Sequence, residues 1–248
     1  MKVVYSPRYT EVYESDPAAE PGRMEAIIKE MQGFELVKPE PAELEDIMLC
    51  HTDYHVSYVQ SYGFVFEMAR LAAGGAVKAA ELAAGGEPAF GLIRPPGHHA
   101  SPDSCWGFCF FNNLAIAVSK LISEKKIRTA LVLDFDLHYG DGTANIFRNN
   151  PDVVYFHPED GHRQDFVDHV DRFLGQSKAD IIAVSAGFDR HIDDWGRLLT
   201  TEDYRSIGQA VKEFALQKCE GRRFGVLEGG YNHDVLGKNV RAFIEGMA

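Results

Sequence analysis

The sequence predicts an α/β fold: a single domain over residues 1–248 with a parallel-stranded central sheet flanked by helices on both faces. Three observations carry that expectation. Short β-branched runs alternate with longer stretches of helical periodicity, the pattern of strands joined by helical crossovers. Apolar residues make up 45% of the 248 positions, enough for one sizeable core. Polar clusters directly follow four of the strand candidates, and open parallel sheets bind ligands at the carboxyl ends of their strands.

The elements follow in order. A β-prone run at 2–5 opens the chain. The acidic, proline-containing stretch from Glu11 to Pro21 reads as a loop. Helical patterns occupy 23–32 and 54–84, the second expected to break at Gly74-Gly75. Ala89-Phe90-Gly91-Leu92-Ile93-Arg94 is the second strand candidate, with a helix over 112–124 after it. Thr129-Ala130-Leu131-Val132-Leu133-Asp134 is the third strand. Gly140-Asp141-Gly142-Thr143 then makes a tight turn into a helix over 142–149. Strands at 152–156, 180–185 and 224–228 are separated by helices at 164–175 and 202–219, and a helix over 234–247 closes the chain. No repeat or low-complexity linker interrupts the series.

Composition narrows the function classes. A formal net charge of −12 disfavours nucleic acid and anionic membranes as partners. The four cysteines, Cys50, Cys105, Cys109 and Cys219, form no C-x-x-C pair, so they read as reduced thiols, not a zinc ribbon or redox motif. The amino terminus lacks the apolar run of a signal peptide, and no stretch reaches the ~20 apolar residues of a membrane span. A cytoplasmic location is the expectation.

The chemistry sits at the strand ends. In Asp134-Phe135-Asp136-Leu137-His138, three polar side chains at alternate positions of an extended segment project the same way. Two carboxylates and an imidazole are expensive to bury, and a divalent cation would offset the cost. Asp189, in Gly187-Phe188-Asp189, is the natural third ligand. Asp136, His138 and Asp189 then leave one coordination position open, as catalytic zinc sites do. Gly97-His98-His99, stiffened by Pro95-Pro96, offers imidazoles for general base work. Asp134 and Asp141 are candidates to stand behind these rings and fix their tautomers. Tyr231, on the Glu228-Gly229-Gly230-Tyr231 turn, could donate a hydrogen bond to a developing oxyanion. Phe108, directly after Gly107, could wall an apolar channel.

These segments resemble one family. RPPGHHA (94–100), GFCFFNN (107–113), LDFDLHYGDGT (133–143), SAGFD (185–189) and EGGY (228–231) are similar, in order, to the histone deacetylase and acetylpolyamine amidohydrolase family. The resemblance implies the three-layer arginase/deacetylase fold and a deacetylase hydrolysing an acetylated or acylated amine: acetyl-lysine, an acetylpolyamine or a related small amide. It implies zinc on Asp136, His138 and Asp189. It pairs Asp134 with His98 and Asp141 with His99, gives Tyr231 the acyl carbonyl, and lines the acyl channel with Gly107 and Phe108. It also implies a monovalent-cation site, usually potassium, at Asp134, Asp136 and His138, with Tyr155 and Phe156 contributing. Arg23 resembles an arginine near an internal product channel.

Two departures stand out. The segments between His157 and Asp189 and between Tyr58 and Arg94 are shorter than in relatives, which implies a shallower, more open site. Neither a long acetyl-lysine tunnel nor a loop-mediated dimer is then expected. Pro158-Glu159-Asp160 could place carboxylates at the shortened rim, although an ordinary solvated turn is the commoner meaning of such a run. Two other functions stay open at this stage. An arginase-like dimanganese enzyme would want further carboxylates where the chain reads Asp189-Arg190-His191. A metal-bearing binding module would have lost catalysis with its loops, yet every catalytic side chain is present. Iron or cobalt could also occupy a mixed aspartate–histidine site.

Overall fold

Seven short strands hydrogen-bond side by side, every pair parallel, in a computed structural model that describes residues 1–248. They are β1 (Lys2–Val4), β2 (Glu35–Val37), β3 (Ala89–Gly91), β4 (Ala130–Asp134), β5 (Val153–Phe156), β6 (Ile181–Ala186) and β7 (Arg223–Leu227). The order across the sheet is β2-β1-β3-β7-β6-β4-β5. The central strands are covered on both faces, so they read as unbroken apolar runs. All residues of β4, β6 and β7 are buried.

The helices are α1 (Arg23–Ile28), α2 (Leu44–Ile47), α3 (Asp53–Gln60), α4 (Phe64–Ala84), α5 (Asn113–Ser123), α6 (Asp141–Phe147), α7 (Arg163–Gln176), α8 (Thr201–Lys218) and α9 (His233–Met247). One layer is built around α4 packed on α5; the other joins α1, α7, α8 and α9. The expected three-layer α/β architecture is therefore present.

Three expectations need correction. β2 was not anticipated: it is an edge strand with Glu35 and Leu36 exposed, so no apolar pattern marks it. The short α2 was also not anticipated. The break in the 54–84 helical run falls at Ser61–Gly63, not at Gly74-Gly75. Gly63 takes a φ of 59°, which leaves the helical region, whereas Gly74 and Gly75 lie inside the continuous α4. Their missing side chains are used for close packing. A Cβ at Gly74 would overlap the Glu40 backbone, and one at Gly75 would lie 2.8 Å from the Tyr9 hydroxyl.

The topology places the site. The chain crosses from β3 to β4 over the positions later filled by β7 and β6. The loops after β3, β4, β6 and β7 consequently converge at one edge of the sheet, the crevice where parallel sheets take ligands.

Candidate active site

The apolar strand β4 ends on Asp134, and the next residues turn polar side chains into the crevice. Asp136 Oδ1 accepts from the His138 backbone N–H at 2.9 Å, and its other oxygen accepts from the Gly229 N–H at 2.8 Å. Asp189 Oδ1 accepts from the Leu137 N–H at 3.0 Å. Backbone donors from the β4 and β7 loops thus aim two carboxylates toward one another. His138 Nδ1 lies 3.2 Å from Asp136 Oδ1 and 3.1 Å from Asp189 Oδ2. The three side chains offer ligand atoms all within 4.8 Å of one another. Glycines make this crowding possible: a Cβ at Gly187 would overlap the Asp136 carboxylate, and one at Gly229 would press on Asp136 and Asp189.

The cluster calls for positive charge. Asp136 and Asp189 are essentially fully buried. Burial and the neighbouring Asp136 push Asp189 up to about 6. Burial alone would raise Asp136 as well, but His98 and His138 hold it below its ordinary value. Hydrogen bonding to Asp136 and Asp189 lifts His138 to about 10. Apart from the His138 ring nitrogen 3.1 Å away, buried Asp189 Oδ2 has no polar partner. A buried carboxylate oxygen beside an imidazole between two acids is a donor set that fits a divalent cation.

The histidine pair is held asymmetrically. The Gly97 and His98 N–H groups both donate to Glu228 Oε2, at 2.7 and 3.2 Å. His98 Nδ1 meets Asp134 Oδ2 at 3.1 Å, and its Nε2 stands 3.8 Å from Asp136 Oδ1. Burial opposes its charge, but Asp136 and Asp134 win and raise His98 well above the ordinary histidine value. His99 Nδ1 meets Asp141 Oδ1 at 2.7 Å. Burial and the adjacent His98 lower His99 to about 4. The neighbouring carboxylates thus favour the charged form of His98, and burial favours the neutral form of His99.

Tyr231 faces the pair across a cavity of about 110 Å³ that His98, His99, Phe108 and His138 also line. Asp194 Oδ2 accepts from the backbone N–H groups of Tyr231 and Asn232, both at 2.8 Å. Burial raises the phenol well above its ordinary pKa, so it keeps its proton. Arg23 braces the turn from below, donating to the Gly230 and Glu228 carbonyls at 2.8 and 2.6 Å. Gly107 and Phe108 have φ values of 60° and 67°. A Cβ at Gly107 would collide with the His99 ring, and the Phe108 ring edge meets Tyr231 at 6.1 Å.

The metal, histidine-pair, tyrosine and channel residues singled out in the sequence (Asp134, Asp136, His138, Asp141, Asp189, His98, His99, Gly107, Phe108 and Tyr231) come together at this crevice. Four others were missed. The only two tryptophans flank the mouth, each about half exposed. Trp106 lies tilted against His99, ring centres 3.9 Å apart, and its indole N–H donates to both Asp141 oxygens. Trp195 stacks on Tyr231 at 4.1 Å. Their rarity was the available signal. Glu228 and Asp194 act on backbone N–H groups, which no side-chain pattern announces. The Pro158–Asp160 run does not line the cavity; Asp160 pairs with His169 at 2.7 Å, and Pro158 is buried.

The set assigned by resemblance to a monovalent cation is committed elsewhere. Asp134 Oδ2 accepts from the Tyr155 hydroxyl at 3.0 Å as well as facing His98, and Oδ1 accepts from the Asp136 N–H at 3.2 Å. The Asp136 carbonyl accepts from Arg190 Nε at 3.1 Å. These residues do not fit a bound potassium ion as they stand. All four cysteines are free, and no helix is long and apolar enough to cross a membrane.

Comparison with known proteins agrees with this geometry. A family model described as a histone deacetylase domain matches residues 62–166 and 158–247. The two stretches overlap at residues 158–166, just after His157. A probable deacetylase of Methanothermobacter thermautotrophicus is 31% identical, covering 100% of this chain and 90% of its own length. That alignment runs over 304 positions against 248 residues here, so the relative carries residues with no counterpart in this chain. A probable deacetylase of Archaeoglobus fulgidus is 32% identical over 83% of this chain and 71% of its own. In fold, the chain is similar to the crystal structure of the HDA15 HD domain, with a TM-score of 0.83 at 24% identity. That match covers 98% of this chain and 88% of the other.

Proposed function

The chain belongs to the histone deacetylase family, and from that premise we propose a zinc-dependent amidohydrolase that deacylates small or peptide-borne acyl amines. Membership makes it a hydrolase of acetyl-amide bonds. The observation that supports the finer reading is the Asp136–His138–Asp189 cluster, with both carboxylates buried, beside the paired rings of His98 and His99.

Asp136, His138 and Asp189 would hold the zinc, which supplies Lewis acidity toward the acyl carbonyl and the attacking water. His99, neutral and backed by Asp141, takes a proton from that water and returns it to the departing amine. His98, between Asp134 and Asp136 and beside His99, would keep its proton and contribute positive charge to the site. The Tyr231 hydroxyl, still protonated, donates to the developing oxyanion. Trp106 holds Asp141 and covers His99, which keeps water off one face of the base.

Acyl-lysine, acylpolyamine and related small amides all suit the site. A half-exposed pair of tryptophans at the mouth favours substrates that need no deep tunnel. The test is hydrolysis of fluorogenic acetyl-lysine and trifluoroacetyl-lysine substrates before and after chelation, with zinc, iron(II) and cobalt(II) added back. Activity that survives complete metal removal overturns the proposal. Preference for acetyl-lysine peptides over small acetylated amines overturns the open mouth.

A further inference from the structure

Arg190 directly follows the candidate ligand Asp189, yet its side chain runs the other way, beneath the β4 loop. It is 6% exposed. Its Nε donates to the carbonyls of Phe135 and Asp136, both at 3.1 Å. One terminal nitrogen donates to the Pro158 carbonyl at 3.0 Å and to His157 Nε2 at 3.1 Å. The guanidinium also lies 4.8 Å from the centre of the Phe166 ring. No carboxylate touches it. Arg190 therefore acts as a cation does in a carbonyl cage: it gathers main-chain oxygens from the loops after β4 and β5. Its charge faces Asp136, Asp189 and Asp134.

Tyr155 completes the arrangement. Its hydroxyl donates to Asp134 Oδ2 at 3.0 Å and accepts from the Gly140 N–H at 3.0 Å. A Cβ at Gly140 would lie 2.7 Å from that hydroxyl, so there is little spare room around it. The Asp134 carboxylate that would otherwise grip a small cation is used by Tyr155 and His98. The guanidinium is always charged and forms charge-assisted hydrogen bonds, so a built-in cation costs no binding equilibrium.

We propose that Arg190 and Tyr155 stand in for the monovalent cation, so that this deacetylase organises its metal loop without potassium. The location rests on the proposed metal site; the readouts do not need turnover. Crystals of the zinc-loaded protein soaked in thallium(I) acetate are expected to show no anomalous peak among the carbonyls of Asp134, Asp136 and His138. A full peak there beside an undisplaced Arg190 overturns the proposal.

Thermal unfolding supplies the second arm, in potassium chloride and in choline chloride at equal ionic strength. The wild-type midpoint is expected to be the same in both. Arg190→Met is expected to melt lower in choline and to recover several degrees in potassium, the size expected for an ion well above its Kd. Tyr155→Ser, which frees Asp134 Oδ2, covers the case in which Arg190→Met does not fold, and it too is expected to acquire a potassium response. Potassium-specific stabilisation of the wild type, or no potassium response in either variant, overturns the proposal. Absence of deacetylation in every salt would count against the proposed function and leave these two readouts intact.

Discussion

Replacing Tyr231 with phenylalanine isolates one hydroxyl. What fixes the ring is kept by phenylalanine: the stack on Trp195 at 4.1 Å, the two backbone N–H bonds to Asp194 and the Arg23 brace on Gly230. The variant should therefore fold with an unchanged melting temperature and an unchanged cavity shape. Loss of one preorganised oxyanion donor costs about 10²–10³ in kcat, roughly 3–4 kcal/mol of transition-state stabilisation. The donor matters most as charge develops, so KM should move by less than about threefold. Steady-state kinetics on a fluorogenic acyl-lysine substrate, with zinc content measured on the same sample, reads both parameters. A Tyr231→Phe enzyme that keeps more than about a third of kcat, or loses activity through KM alone, would refute the assignment.

Three other outcomes are expected. Asp189→Asn should lower zinc affinity by more than about 100-fold, since removing even outer-shell partners costs 10–100-fold. The same change should raise the melting temperature of metal-free protein, because a carboxyl pushed up to about 6 opposes folding at neutral pH by roughly 1–3 kcal/mol; zinc titration followed by calorimetry checks both signs. With neutral His99 as the proposed base, kcat/KM should be level down to about pH 5 and fall tenfold per unit below about 4, and an acid limb centred near 6.5 contradicts this. Stability follows the same group: the unfolded ring protonates near 6.5 and the folded ring near 4. The stabilisation is complete above 6.5 and lost as pH falls through that window, at about 1.4 kcal/mol per unit. Trp195→Ala should widen the mouth and release Tyr231, lowering kcat by about 2–10-fold, the worth of one aromatic stack, while bulkier acyl amides gain relative to acetyl; equal losses across the substrate series would deny Trp195 any part in selectivity.

The sheet was legible because its central strands are covered on both faces and so carry unbroken apolar runs, as at Leu131–Leu133 and Ile181–Val184. The metal cluster was legible for the opposite reason. Asp136 and His138 interrupt such a run at a cost that only a ligand explains. What stayed hidden has no such signature. β2 is exposed and pairs through its backbone. Gly74 and Gly75 look like helix breakers until Glu40 and Ile93 are seen to need the space. Glu228 bonds to the N–H groups of Gly97 and His98, more than a hundred residues away in sequence, and so carries no local pattern.

The site's charge pattern explains why those hidden residues matter. Asp134, Asp136, Asp189 and Glu228 bring four buried carboxyls into one crevice. Burial pushes Glu228 up to about 7 and Asp189 up to about 6. The chain answers with His98 between Asp134 and Asp136, and with Arg190 beneath the β4 loop. Between Asp136 and Asp189 stands His138, held protonated by the two carboxylates, a proton that a metal ion would displace. Burial keeps His99 uncharged, and His98, at a ring separation of 4.1 Å, further opposes a second proton. On the proposed roles, metal affinity and general base strength are thus set by the same charges. A change such as Asp134→Asn, two positions away from any metal ligand in the chain, should weaken the His98 charge and make His99 easier to protonate.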